Sequence, residues 1–159
     1  MNELCKVVLL TYIGEKIVTN IDNEKIYLQI RNALDFCWKW VESKQADEEK
    51  IFKFLDDEKE EDLVGYMLSA DNEKDKKVYG IILGVVSYIS HNILETNKSP
   101  IPQFLEGTED KYYNCIISDV LQCNIIDNIE EKMSEVIKYC EDKIVKKHFL
   151  FVKSEIMNL

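Results

Sequence analysis

Ile26, Ile30, Ala33, Leu34, Cys37 and Val41 recur at steps of three and four residues. That is the spacing of one apolar face of an α-helix. At about 100° per residue, Trp38 falls on one flank of this stripe with Tyr27 and Leu34, and Trp40 on the other with Phe36. Arg31, Asp35, Lys39 and Glu42 point away from it. A broad stripe edged with aromatic rings can touch several neighbours at once. The sequence therefore predicts a helix from Asp22 to Glu42 around which the others pack, with Asp22 as its N-cap.

The remainder supports the same class. Only 2 prolines and 5 glycines occur in 159 residues, so few turns are signalled and long helices are favoured over a many-stranded sheet. Hydrophobic residues make up 46%, enough for a real core. The expected fold is all-α: a single-domain bundle, residues 1–159, of about six to eight helices around the central Trp-bearing helix. Val7 to Ile13 reads by composition as a buried strand. No partner strand is evident, so Glu3 to Val18 is assigned as a buried helix. A short helix follows Ala46, with Ile51, Phe52, Phe54 and Leu55 as its apolar side, and Leu63 to Ala70 forms another.

From Glu73 to Leu94, Val78, Ile82, Val85 and Ile89 make one stripe, while Gly80, Gly84, Ser87 and His91 gather on the opposite face. Glycine inside a helix costs about 0.5–1 kcal/mol relative to alanine, so this face is expected to admit a close approach by another helix or a partner. Pro100 and Pro102 make 96–102 a linker and the natural place for a subdomain break. Glu109 to Cys123 is helical. Asp127 to Glu130 reads as a capping box opening a last helix, which the tail Lys146–Leu159 continues.

Net charge is −10, which disfavours nucleic acid and anionic lipid as partners and leaves a basic protein open. The excess is concentrated: residues 42–62 carry net −6 and residues 106–142 net −7, whereas 143–159 carry net +3. Asp56, Asp57, Glu58, Glu60, Glu61 and Asp62 form a run without an apolar residue, either a solvated loop that aids solubility or a docking patch that steers a cationic protein. Lys44, Lys50, Lys53 and Lys59 dilute it.

No catalytic signature is present. His91 and His148 lack the neighbours that metal templates need, and the odd set of five cysteines has no CxxC, so neither a metal nor a cofactor is expected. Cys37 and Cys140 read as small buried hydrophobes in a reducing compartment. There is no phosphate-cradling glycine loop and no Gly-x-Ser-x-Gly elbow. Glu58 and Glu61 have the spacing of a Mg²⁺-holding acid pair but lie in an expected loop, and Glu130, Glu131 and Glu135 have the wrong spacing. Glu3 and Lys6 interrupt any leader, and the run 7–13 is far short of the about 18 residues needed to span a bilayer, so a cytoplasmic location is expected.

The segment Ala33-Leu34-x-x-Cys37-Trp38-Lys39-Trp40-Val41-Glu42, followed by a lysine-containing turn and a short helix ending Phe54-Leu55-Asp56-Asp57-Glu58, resembles the helical immunity proteins of bacterial polymorphic toxin systems, in particular immunity protein family six. The acidic turn and the helix around Val85 to His91 extend the likeness over about residues 25–95. The resemblance implies a non-catalytic protein that binds and neutralises a toxin encoded beside it, protecting the producing cell. It carries over no catalytic residues. The alternatives are a helical Mg²⁺-dependent nucleotide hydrolase and a structural or regulatory helical protein without a toxin. Under the first reading the expected partner is a basic toxin, with neither nucleic acid nor membrane involved.

Overall fold

The computed structural model describes residues 1–57, 62–108 and 110–159. Its elements in chain order are α1 (Glu3–Val18), α2 (Glu24–Ser43), α3 (Glu49–Leu55), α4 (Leu63–Leu68), α5 (Glu73–Asn97), a 3₁₀ turn η1 (Gln103–Leu105), α6 (Asp110–Cys123), α7 (Ile129–Val145) and α8 (Lys153–Met157). No strand occurs among the described residues, so the strand-like run Val7 to Ile13 is helical. The fold is an all-α bundle.

The centre of that bundle differs from the expected one. Residues 5 through 15 of α1 are all buried, and α1 packs against α2, α5 and α7. α5 meets α1, α2, α3, α4, α6 and η1. The Trp-bearing α2 instead keeps a solvent face of Asn32, Asp35, Lys39 and Glu42 and packs on α1 and α5 from the outside. The reason lies in the pattern: a helix that is apolar all round must be covered all round, whereas a striped helix needs only one covered side. By length and composition α5 could cross a membrane, yet 78% of its most apolar window is buried.

Three local expectations are corrected. Asn23, rather than Asp22, caps α2, accepting from the Ile26 N–H at 3.1 Å from an extended backbone. The capping box at Asp127 to Glu130 does not form: Asn128 enters α7 in the left-handed region (φ 54°), and its side chain makes no capping bond, where a capping side chain needs extended φ and ψ. The tail does not prolong α7. Lys147 turns left-handed (φ 59°), and the His148 N–H returns to the Lys143 carbonyl at 2.9 Å. The chain then brings Phe151 and Ile156 into the core, both fully buried.

α5 ends the same way, three residues beyond Leu94. Lys98 is left-handed, and the Ser99 N–H bonds the Leu94 carbonyl at 2.9 Å. Pro100 restricts only the residue before it, so the helix runs to Asn97 unimpeded. Lys44 closes α2 in the same conformation. Glycine is the usual occupant of such a position. Here lysine occupies it, at positive φ in all three places.

The small-residue face of α5 is covered from within the molecule. A Cβ on Gly84 would stand 2.9 Å from Ile116 Cγ1 of α6, and one on Gly80 would stand 3.5 Å from Met67 Sδ of α4. The core continues through Leu105 into Tyr113, Ile116 and Val120, so the chain beyond Pro102 packs on the same α5.

Candidate partner-binding surface

α3 is a seven-residue helix with Ile51, Phe54 and Leu55 buried. These are the i, i+3 and i+4 positions of one face. Phe52 lies about 100° from Ile51 and is 47% exposed. The expectation placed all four apolar residues on one side, but position 52 falls off the face that 51, 54 and 55 share. That spacing was the signal, and it was visible in the sequence.

Asp56 closes α3, its N–H donating to the Phe52 carbonyl at 2.8 Å, and its side chain is exposed. Asp57 is half-buried. Asp62 is buried, and its carboxylate serves the fold: one oxygen accepts from the Gly65 N–H at 2.7 Å as the N-cap of α4, the other from the Asp57 N–H at 2.9 Å. Among the described acids of the run, then, Asp56 and Asp57 reach the surface, while Asp62 ties Asp57 to the start of α4. Glu58, Glu60 and Glu61 lie outside the described residues.

Asp56, Asp57 and Asp62 share a groove with Leu55, Val64, Gly65, Leu68, Ser69 and Phe104, about 570 Å³ in volume. Its apolar side is open: Leu68 is 73% exposed and Phe104 38%. Phe52 meets Phe104 edge-on, ring centroids 5.6 Å apart. Sequence reasoning missed Leu68 and Phe104, which come from different elements and carry no common period.

Three of the four diluting lysines stand elsewhere. Lys50 and Lys53 line a separate groove with Lys39, Asp35 and Asp47 between α2 and α3. Lys44 lies over the Trp40 ring, 4.1 Å from its centroid, and burial pushes its ammonium down to about 8. Lys59 lies outside the described residues.

One charge cluster among the described residues is built around a buried carboxylate. Glu15 of α1, 8% exposed, accepts two bonds from Arg31, one of them at 2.5 Å, one from Trp38 Nε1 at 2.5 Å and one from Lys153 Nζ at 2.6 Å. Burial alone would raise its carboxyl, but the bonds from Arg31 and Lys153 outweigh it and hold the group below the usual glutamate range. This node joins α1, α2 and α8, and the chain's only arginine is spent on it.

His91 shares a surface hollow with Glu3, Tyr88 and Glu95, and His148 is exposed. Among the described residues, no group of three or more His, Cys, Asp or Glu side chains could hold a metal. Cys37 and Cys140 are fully buried, and burial pushes both thiols up. Glu130, Glu131 and Glu135 stand exposed on α7.

Two comparisons with known proteins, one with curated sequences and one with solved structures, return no match. A third does: the sequence model of the family described as Immunity protein Imm6 matches residues 5–123. That span runs from α1 to the end of α6 and contains the acidic run and the groove beside it.

Proposed function

The chain belongs to the Imm6 immunity-protein family, and from that premise we propose that it neutralises a cognate, cationic toxin by binding it through the acidic run at Asp56, Asp57, Glu58, Glu60, Glu61 and Asp62. The family match carries the reading. Asp62 contributes by tying Asp57 to the start of α4, and the run as a whole supplies negative charge. The protein acts as a stoichiometric inhibitor in the cytoplasm of the bacterium that makes the toxin, and catalyses nothing. A net charge of −10 supports a cationic partner and opposes nucleic acid or an anionic membrane surface.

Titration of the toxin encoded beside the gene tests this. Purified protein added to the toxin domain should abolish its activity at an equivalence point of one to one, and the two should co-elute. Loss of toxin activity at far lower ratios, with turnover, would mean an enzyme instead. No protection at any ratio would remove the toxin reading.

A further inference from the structure

Resting on that reading, we infer that Phe52, Leu68 and Phe104 form the apolar centre of the toxin contact, and that the groove receives a toxin segment in which an apolar side chain is flanked by lysine or arginine. The three residues come from α3, α4 and η1. Their convergence is therefore not a by-product of one helix's amphipathic stripe. The fold has no need of them outside: Ile51, Leu55, Leu63 and Leu105 already seal the core beneath. Large apolar side chains gathered on a surface beside polar groups mark an interaction site.

Charge selects the occupant. Asp56, Asp57 and Asp62 line the groove, and no lysine does so among the described residues. Asp56 stands exposed at its edge, so an anionic partner would be repelled and a cationic one drawn in. A segment pairing an apolar group with a cation satisfies both sides of the groove. This is the usual anatomy of a protein interface, an apolar centre inside a polar rim.

A second copy of this chain is the competing occupant. A symmetric dimer through this face would set Asp56 and Asp57 against their own copies. The chain's cationic apolar stretch, Lys146, Lys147, Phe149 and Leu150, is exposed and could enter a neighbour's groove. Against that, the groove lies inside the matched segment, residues 5–123, and the stretch lies outside it. Two molecules of charge −10 also repel.

The experiment uses the full chain and the purified toxin domain encoded beside its gene. Leu68→Lys changes a side chain that is 73% exposed, so folding is retained and is checked by circular dichroism and thermal melting. Phe52→Ala with Leu68→Ala and Phe104→Ala removes the apolar centre. Both variants should speed toxin dissociation about 30-fold or more while changing the association rate less than about threefold. Unchanged dissociation in both, with wild type binding normally, overturns this inference and leaves the inhibitor reading standing. A wild-type protein that does not bind the toxin overturns both. Self-association of wild type in sedimentation runs, abolished by Leu68→Lys, would assign the groove to a second copy and overturn the toxin contact.

Discussion

Glu15 sits where a carboxylate is least expected, on a helix buried on all sides, and it is tolerable only because Arg31, Trp38 and Lys153 all bond it. Breaking a buried ion pair by removing one partner typically costs about 3–5 kcal/mol, because a charge is left uncompensated. Glu15→Gln should destabilise the protein by about that much at pH 7, read by chemical denaturation. Its pH dependence has a definite sign. The folded state holds the Glu15 carboxyl below its unfolded value, so this stabilisation is present above about 4.3, the ordinary glutamate value, and is lost as pH falls through the folded value. The gap between wild type and Glu15→Gln should therefore narrow as pH drops below about 4.3, and a constant gap would refute the linkage. Gly84 makes a second case. Alanine there gains about 0.5–1 kcal/mol of helix propensity, yet its Cβ would press at 2.9 Å on Ile116 Cγ1, a methylene one bond from the branched Cβ rather than the free end of the side chain. Gly84→Ala should therefore lower the melting temperature. The small-residue stripe containing Gly84 was legible in the sequence. The Glu15 node was not, because its partners lie 16, 23 and 138 positions away.

At the scale of elements, three- and four-residue spacing gave the helices but not their hierarchy. α2 drew attention because its stripe is sharp. α1 has no stripe, since every side is apolar, and a run such as Val7 to Ile13 looks like a strand for the same reason. Chain reversals were harder still. Lys98 and Lys147 end their helices in a conformation that glycine ordinarily signals, and nothing about a lysine announces it. The reversal at Lys147 matters for stability. α7 covers one side of α1, and Ile129, Val136, Cys140, Phe151 and Ile156 are all buried. At about 1.5–3 kcal/mol for each large side chain buried, these residues contribute as much as the whole net stability of a domain, about 5–15 kcal/mol. A chain cut after Cys123 keeps the family segment but uncovers α1 and strips Lys153 from Glu15. It should be insoluble or unfolded by circular dichroism. The intact chain should unfold in one transition, since one core cluster holds residues from both sides of the 96–102 linker. Two separated transitions would establish the subdomain boundary that the prolines suggest.

Over the whole molecule, the proposed contact assigns rate and residence to different groups. Asp56 is exposed and Asp57 half-buried at the edge of the groove, and Glu60 and Glu61 follow them in sequence. Exposed charges at a rim act chiefly on association and its salt dependence, while buried contacts set dissociation. Asn at positions 56 and 57 with Gln at 60 and 61 takes the net charge from −10 to −6. Asp62 must be left in place, because it caps α4 from a buried position and losing a cap costs about 1 kcal/mol. Circular dichroism and thermal melting check that the fourfold variant folds, and Asp56, which is exposed, contributes little to stability. It should associate more slowly with the toxin domain at low salt, and the difference should shrink as salt rises and the Debye length falls below about 8 Å. Net charge alone could produce the same slowing. A matched variant separates the two causes: Gln at 130, 131, 135 and 141, all exposed positions on α7, also gives −6. If both variants slow association equally, the whole-molecule charge steers the encounter and the run at 56–61 has no special role. If only the first slows it, the toxin approaches from the α3–α4 side, the side that carries Phe52, Leu68 and Phe104. Stopped-flow association at two salt concentrations decides between them, and an unchanged rate in both variants would make the acidic run a solubility loop.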